Sequence, residues 1–318
     1  MKAFIRKLSI RERRGFVNSI IYTIFSFLHI ILTKTILYNS NISFITILFI
    51  SGSLLIIMSC YRIFRLMKKI KSSKKENLRI NFQVGLNSFI SYFCLLAAID
   101  STTLTNIIFI SRLYPFLIMI NRSISSPERE TIHNHQLINF FVYIFSFLFI
   151  FFPALYIDSG FGVVFCLISV IFKFSSCNYL SEAKSINVDL LMLNVGFFNA
   201  FFGGIIVLMT FDQVDHIGKL MWLLIILNTL ISYFMKIFMN KVLKGGSNEQ
   251  KLMILNVLAL FLILPFDFYV FGQKFYYNYL IIVFSFVEIF FFYKKVKKVI
   301  KSDAIYLLIL YKNHNPII

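Results

Sequence analysis

Ten stretches of nearly unbroken apolar sequence alternate with short polar segments along the chain. They lie at about 16–38, 42–61, 81–99, 103–121, 136–157, 160–181, 190–211, 218–240, 251–271 and 276–293. Each is about as long as an α-helix must be to cross a bilayer, roughly 20 residues. Backbone in hydrocarbon has no water to bond, and the blocks lack the alternation of a barrel strand, so each is predicted to be a helix. Connections such as Asn39-Ser40-Asn41 and Tyr156-Ile157-Asp158-Ser159-Gly160 are short enough to force antiparallel neighbours.

The basic residues give these spans a direction. In one set of alternate polar segments there are 27 Lys and Arg, and in the opposite set only Lys219 and Lys274. Asp100, Asp158, Asp212, Asp215 and Asp267 lie on or near that second side. Basic loops stay cytoplasmic, so both termini are expected inside and the number of spans even. The first 14 residues are basic, but the following apolar block exceeds the length of a signal-peptide core and further spans come after it. It is expected to be a retained first helix. With no transit-type segment recognised, a bacterial inner membrane is the favoured location.

Composition changes this picture little. The chain has 318 residues, 58% hydrophobic and 14% charged, too few charges to cover a soluble fold of this size. The net charge of +18 would suit nucleic acid, but the basic residues cluster beside apolar blocks, where they face anionic lipid instead. Nucleic-acid binding is therefore not expected. Cys60, Cys94, Cys166 and Cys177 all fall within apolar blocks without a Cys-x-x-Cys pair, and are expected to be buried thiols. His133 and His135 share a polar turn but form no metal-spaced cluster, and no glycine-rich phosphate loop is present. No enzyme activity, cofactor or metal is expected.

The spans divide into five and five, with echoes at offsets between about 140 and 150 residues. Gly15-Phe16 is repeated as Gly160-Phe161, Ile24-Phe25-Ser26-Phe27 as Ile171-Phe172-Lys173-Phe174, and Ser91-Tyr92-Phe93 as Ser232-Tyr233-Phe234. An odd number of spans per unit inserts the second unit upside down, a recurrent transporter design. The expected organisation is a basic N-terminus over 1–15, one five-helix repeat over 16–157, a second over 158–296 and a cytosolic tail over 297–318.

The chain resembles the drug/metabolite transporter superfamily, particularly its EamA-type members. The resemblance is fullest from Phe93 to Ile108, where an apolar third span ends in Ala97-Ala98-Ile99-Asp100 before a polar turn. It continues through Leu113-Tyr114-Pro115-Phe116 to Glu128-Arg129. In the second half Ala259 and Gln273 stand near positions where the family often carries Pro and Glu. What the resemblance implies is a ten-span inverted repeat with a central cavity lined mainly by spans 1, 3, 4, 6, 8 and 9. A narrower similarity touches the sugar-phosphate and nucleotide-sugar translocators, through Lys34 near the end of the first span and Arg112 shortly before Pro115. The ninth-span Lys-Arg pair of that branch is missing here.

Ionisable residues within spans usually face a bundle interior or a polar path. Arg112, near the middle of span 4, is either a bidentate contact for a carboxylate or phosphate or one half of an internal ion pair with Glu288. Lys173 in span 6 and Lys34 in span 1 are further candidate substrate contacts, and snorkelling is the alternative for Lys34. Lys236 is expected to be a snorkelling anchor. His29, with Glu288, is a candidate proton relay, against the plainer role of a bond to a neighbouring helix. Tyr92 and Tyr114 are candidates for stacking or hydroxyl contacts in the cavity, with Pro115 bending span 4. The expected function is a secondary transporter of a small polar metabolite, an anion being the special case that buried cations favour. The alternative is a lipid-linked glycan flippase or polysaccharide-assembly protein. Monomer and homodimer are both left open.

Overall fold

The structure is a computed structural model. It describes residues 10–40, 42–66, 75–111, 113–114, 117–118, 121, 160–182, 188–210, 217–244, 262–263 and 265–272. All of these fall in one compact unit drawn from residues 1–130 and 151–274. The described elements are helices: α1 (Ile10–Asn39), α2 (Phe44–Leu66), α3 (Lys75–Ser101), α4 (Leu104–Ser111), α5 (Gly160–Glu182), α6 (Val188–Thr210) and α7 (Lys219–Lys244). A π-helical turn over Phe266–Val270 follows.

Six of these helices are long and apolar enough to cross a membrane: Val17–Asn39, Phe44–Arg62, Arg79–Ser101, Gly160–Leu180, Val188–Thr210 and Lys219–Val242. They coincide with the first, second, third, sixth, seventh and eighth expected spans. The fourth span, expected over 103–121, is described as a continuous helix only over Leu104–Ser111. The spans expected at 136–157 and 276–293 lie outside the described residues, as does most of that at 251–271.

Sequence neighbours are not the main packing partners. α2 packs chiefly on α6, α3 on α5, and α1 on α7. The α2–α6 crossing is built on small residues: a Cβ on Gly52 would stand 2.4 Å from the Ala200 nitrogen, and one on Gly196 would stand 3.0 Å from the Gly52 carbonyl oxygen. Close backbone approach of this kind is how helices gain packing energy in lipid, where apolar burial gives none.

Hydrogen bonds fasten the other two pairs. Between α3 and α5, Ser91 Oγ donates to the Ser169 carbonyl (2.9 Å) and Ser169 Oγ to the Ser91 carbonyl (2.7 Å). Asn87 Nδ2 donates to Ser175 Oγ one turn away (3.1 Å). Between α1 and α7, Asn228 bridges His29 (2.8 Å) and Thr33 (3.0 Å), while Phe25 stacks on Phe234. The contacts also fix direction. Lys34 meets Ile99 and His29 meets Tyr92, so α1 and α3 run parallel. Asn228 meets Thr33 while Phe238 meets Phe25, so α7 runs against both. Gly162 lies against Ser101 and Thr102, so α5 also runs against α3 and hence against α1. Gly203 lies against Phe49 and Gly196 against Ile56, so α6 runs against α2.

The α3–α4 junction is neutralised from both sides. Lys34 Nζ donates to the carbonyls of Ile99 (2.6 Å), Thr102 (3.2 Å) and Asp100 (3.4 Å), which end α3. Asp267, from the π-helical turn, accepts the amides of Leu104 (3.2 Å) and Thr105 (2.6 Å), which begin α4. Thr103 Oγ1 accepts the third free amide, that of Asn106 (3.2 Å). A cation at a helix C-terminus and a carboxylate at an N-terminus each oppose the partial charge there, and together they satisfy groups that neither helix can pair internally.

Candidate functional site

A cavity of about 110 Å³ opens where the α3–α5 and α1–α7 pairs meet, with α4 and α6 closing parts of its wall. One buried water needs about 10–15 Å³ by the same measure, so the space suits a small solute. Its wall is mostly apolar but carries seven serines, Ser26, Ser88, Ser91, Ser111, Ser169, Ser176 and Ser232. Most of the hydroxyls at the α3–α5 seam already bond across that seam. Among the described residues, the groups with capacity to spare are two lysines, a histidine, an asparagine and the Tyr92 hydroxyl.

Lys173, half-way along α5, holds its ammonium 5.1 Å from the centre of the Tyr114 ring and 5.7 Å from that of Tyr22. Such faces attract a cation without neutralising it. Tyr114 is fixed in turn by its hydroxyl, which donates to Cys177 Sγ at 2.9 Å. Lys236 reaches the same cavity from α7, with its ammonium 6.0 Å from the Tyr92 ring centre. Tyr92 also stacks on His29, ring centres 5.7 Å apart. Among the described residues neither lysine has a carboxylate partner, and none of the residues lining the cavity is acidic.

A chain of bonds orients His29. Thr33 Oγ1 donates to the His29 carbonyl (2.7 Å) and accepts from Asn228 Nδ2. That arrangement turns Asn228 Oδ1 toward the imidazole, so His29 Nδ1 carries the proton and donates (2.8 Å). Nε2 is then left with a lone pair and no partner, on a residue only 1% exposed. Asn240 Oδ1, one turn beyond Lys236, is likewise buried and unpartnered.

The candidates named from sequence are therefore distributed unevenly. Lys173, Tyr92 and His29 line one cavity, and Tyr114 packs directly on Lys173 behind it. Lys34 does not line it; its ammonium is held by the carbonyls that end α3. Arg112, Pro115 and Glu288 lie outside the described residues. Lys236, expected as an interfacial anchor, lines the cavity instead. Among the described residues no three His, Cys, Asp or Glu side chains gather as a metal site, and all four cysteines are free thiols.

Asn87, with Ser91 and Tyr92, marks a possible cavity face in the sequence, whereas Asn228 was passed over although it carries a detectable signal. The segment Leu86-Asn87-Ser88-Phe89-Ile90-Ser91-Tyr92-Phe93 is repeated as Leu227-Asn228-Thr229-Leu230-Ile231-Ser232-Tyr233-Phe234, identical at six of eight positions. The three-residue echo Ser-Tyr-Phe is the end of this longer repeat. Each copy places its Asn in a hydrogen bond to a neighbouring long helix.

No family model matches the chain, and no curated protein matches it. Among solved structures, one crystal structure superposes with a TM-score of 0.54, covering 84% of this chain and 96% of that one at 11% identity. Likeness at that identity shows a shared fold alone. Six long apolar helices define this chain as a multi-pass α-helical integral membrane protein.

Proposed function

We propose that this chain is a secondary transporter that moves a small polar metabolite across a membrane by alternating access, built as two inverted five-helix repeats. The observation that carries this is the serine-bearing cavity at the meeting of two helix pairs that a single rotation would exchange. Swapping α1 with α5, α2 with α6 and α3 with α7 turns the α3–α5 pair into the α7–α1 pair and returns the α2–α6 pair to itself. In each exchanged couple the two helices run in opposite directions, as inversion requires. The octapeptide repeat falls on α3 and α7, one such couple. The compact cavity suits a small solute better than a lipid-linked glycan.

Two helix pairs around one site supply what alternating access needs, since rocking one against the other opens the site to either side in turn. The basic segments place both termini in the cytoplasm under this proposal, in a bacterial inner membrane. The test is counterflow in proteoliposomes loaded in turn with unlabelled polar metabolites, following entry of the labelled compound. Saturable counterflow that disappears when Ser91→Trp fills the cavity supports the proposal. Its absence for every solute, from protein that is folded and inserted, overturns it.

A further inference from the structure

The cavity has two kinds of unmet capacity, and both must be matched by whatever occupies it. On one hand stand two ammonium groups, Lys173 and Lys236, that reach it from different helices with no acidic side chain among the described residues of its wall. Bringing two like charges to a low-dielectric site is costly unless a counter-charge arrives. Tyr114, Tyr22 and Tyr92 moderate that cost but cannot cancel the charge. On the other hand stand two buried acceptors, His29 Nε2 and Asn240 Oδ1, and the Tyr92 hydroxyl, none of them with a partner among the described residues. A buried acceptor without a donor carries a desolvation penalty that a ligand hydroxyl would relieve.

Given the transporter proposal, on which this rests, we infer that the substrate is a compact hydroxylated anion, with Lys173 and Lys236 binding its negative groups and His29 accepting from a hydroxyl. Small hydroxy-dicarboxylates and phosphate monoesters of short polyols both fit this description. They present anionic oxygens to the ammonium groups and an O–H group to His29. A neutral polyol would leave both lysines uncompensated, and an amine would meet two like charges. Lys236 is thereby a specificity-determining residue rather than an interfacial anchor.

The test is thermal stabilisation of the detergent-purified full chain by malate, succinate, glycerol 3-phosphate, glycerol and ethanolamine, since a ligand that binds only the folded state raises the melting temperature. Malate or glycerol 3-phosphate should stabilise the protein, glycerol and ethanolamine should not, and malate should exceed succinate, which lacks its hydroxyl. Charge-assisted hydrogen bonds are strong enough that Lys173→Gln and Lys236→Gln should each weaken anion binding about 10- to 100-fold. Lys236→Arg, which keeps the charge, reports whether a loss follows from charge or from misfolding. His29→Phe, which keeps a ring against Tyr92 but removes the acceptor, should reduce the preference for malate over succinate.

Equal stabilisation by glycerol or ethanolamine overturns the inference, as does anion binding that survives both Lys→Gln changes. Stabilisation by phosphatidylglycerol in the micelle but by none of the soluble anions assigns the lysines to a lipid headgroup, and overturns it too. Counterflow of a neutral or cationic solute would then leave the transporter proposal standing while the anion assignment fails. Silence in both assays would remove both.

Discussion

Asn87 and Asn228 stand 141 residues apart at the same place in two copies of one octapeptide, and each bonds across to a different long helix. Asn87 reaches Ser175 on α5, and Asn228 reaches His29 on α1. The bonds are not equal in consequence. Asn228 is buried and holds both Thr33 and the His29 tautomer, whereas Asn87 is half-buried and makes one bond to a hydroxyl.

Replacing Asn228 with Leu should therefore cost more stability than replacing Asn87 with Leu. Interhelical hydrogen bonds in membranes average about 0.6 kcal/mol and reach about 1.7. Asn228→Leu is expected toward the upper figure and Asn87→Leu near the average, as measured by denaturant or thermal unfolding in micelles. The reverse order would show that the two copies are not used as described.

Lys34 and Asp267 hold the two sides of the α3–α4 junction, and each loses an opposing charge when the other is removed. Asp267→Ala leaves two amides of α4 without their acceptor and should cost about 1–3 kcal/mol. Lys34→Met frees the carbonyls that end α3 and should also destabilise. Because Lys34→Met alone leaves the buried Asp267 carboxylate without its nearby cation, the double variant should lose less than the sum of the two. Additive losses in a double-mutant cycle would show that the two side chains act independently.

Gly52 fits against α6 only because it has no side chain. Gly52→Ala would place its Cβ 2.4 Å from the Ala200 nitrogen, and overpacking of this sort costs about 1–3 kcal/mol. Gly218→Ala is the control, since a Cβ there meets nothing within 4 Å. The first should lower the melting temperature and the second should leave it close to the parent value.

The orientation drawn from basic residues can be read by thiol labelling. Three of the four native cysteines are buried, so Cys60→Ser gives a quiet background. In that background Asn39→Cys and Lys219→Cys, exposed at the end of α1 and the start of α7, should react with an impermeant maleimide on intact cells. Arg62→Cys, near the other end of α2, should react only in inside-out vesicles. The opposite pattern would invert the topology.

The residues of the site were legible to different degrees. Lys173, Tyr92 and His29 could be singled out because polar groups in an apolar block are expensive and seldom idle. Lys236 stands near a helix end, where snorkelling is the cheaper expectation, yet it lines the cavity. Its direction depends on which face α7 turns toward α3, and only the packing supplies that. Lys34 was equally visible in the sequence, yet its carbonyl partners come from a helix more than 60 residues away.

What the sequence determined by itself is the membrane class and the course of six spanning helices. Both follow from a local quantity, since each apolar block must satisfy its own backbone and find a length that matches the bilayer. The pairing of α2 with α6, α3 with α5 and α1 with α7 was decided only in three dimensions. Spans that are apolar on all faces meet lipid and protein on nearly equal hydrophobic terms, so hydropathy says little about which faces join. Partner choice falls instead to a few glycines, serines and asparagines whose complements lie far along the chain. The cavity is the space those choices leave.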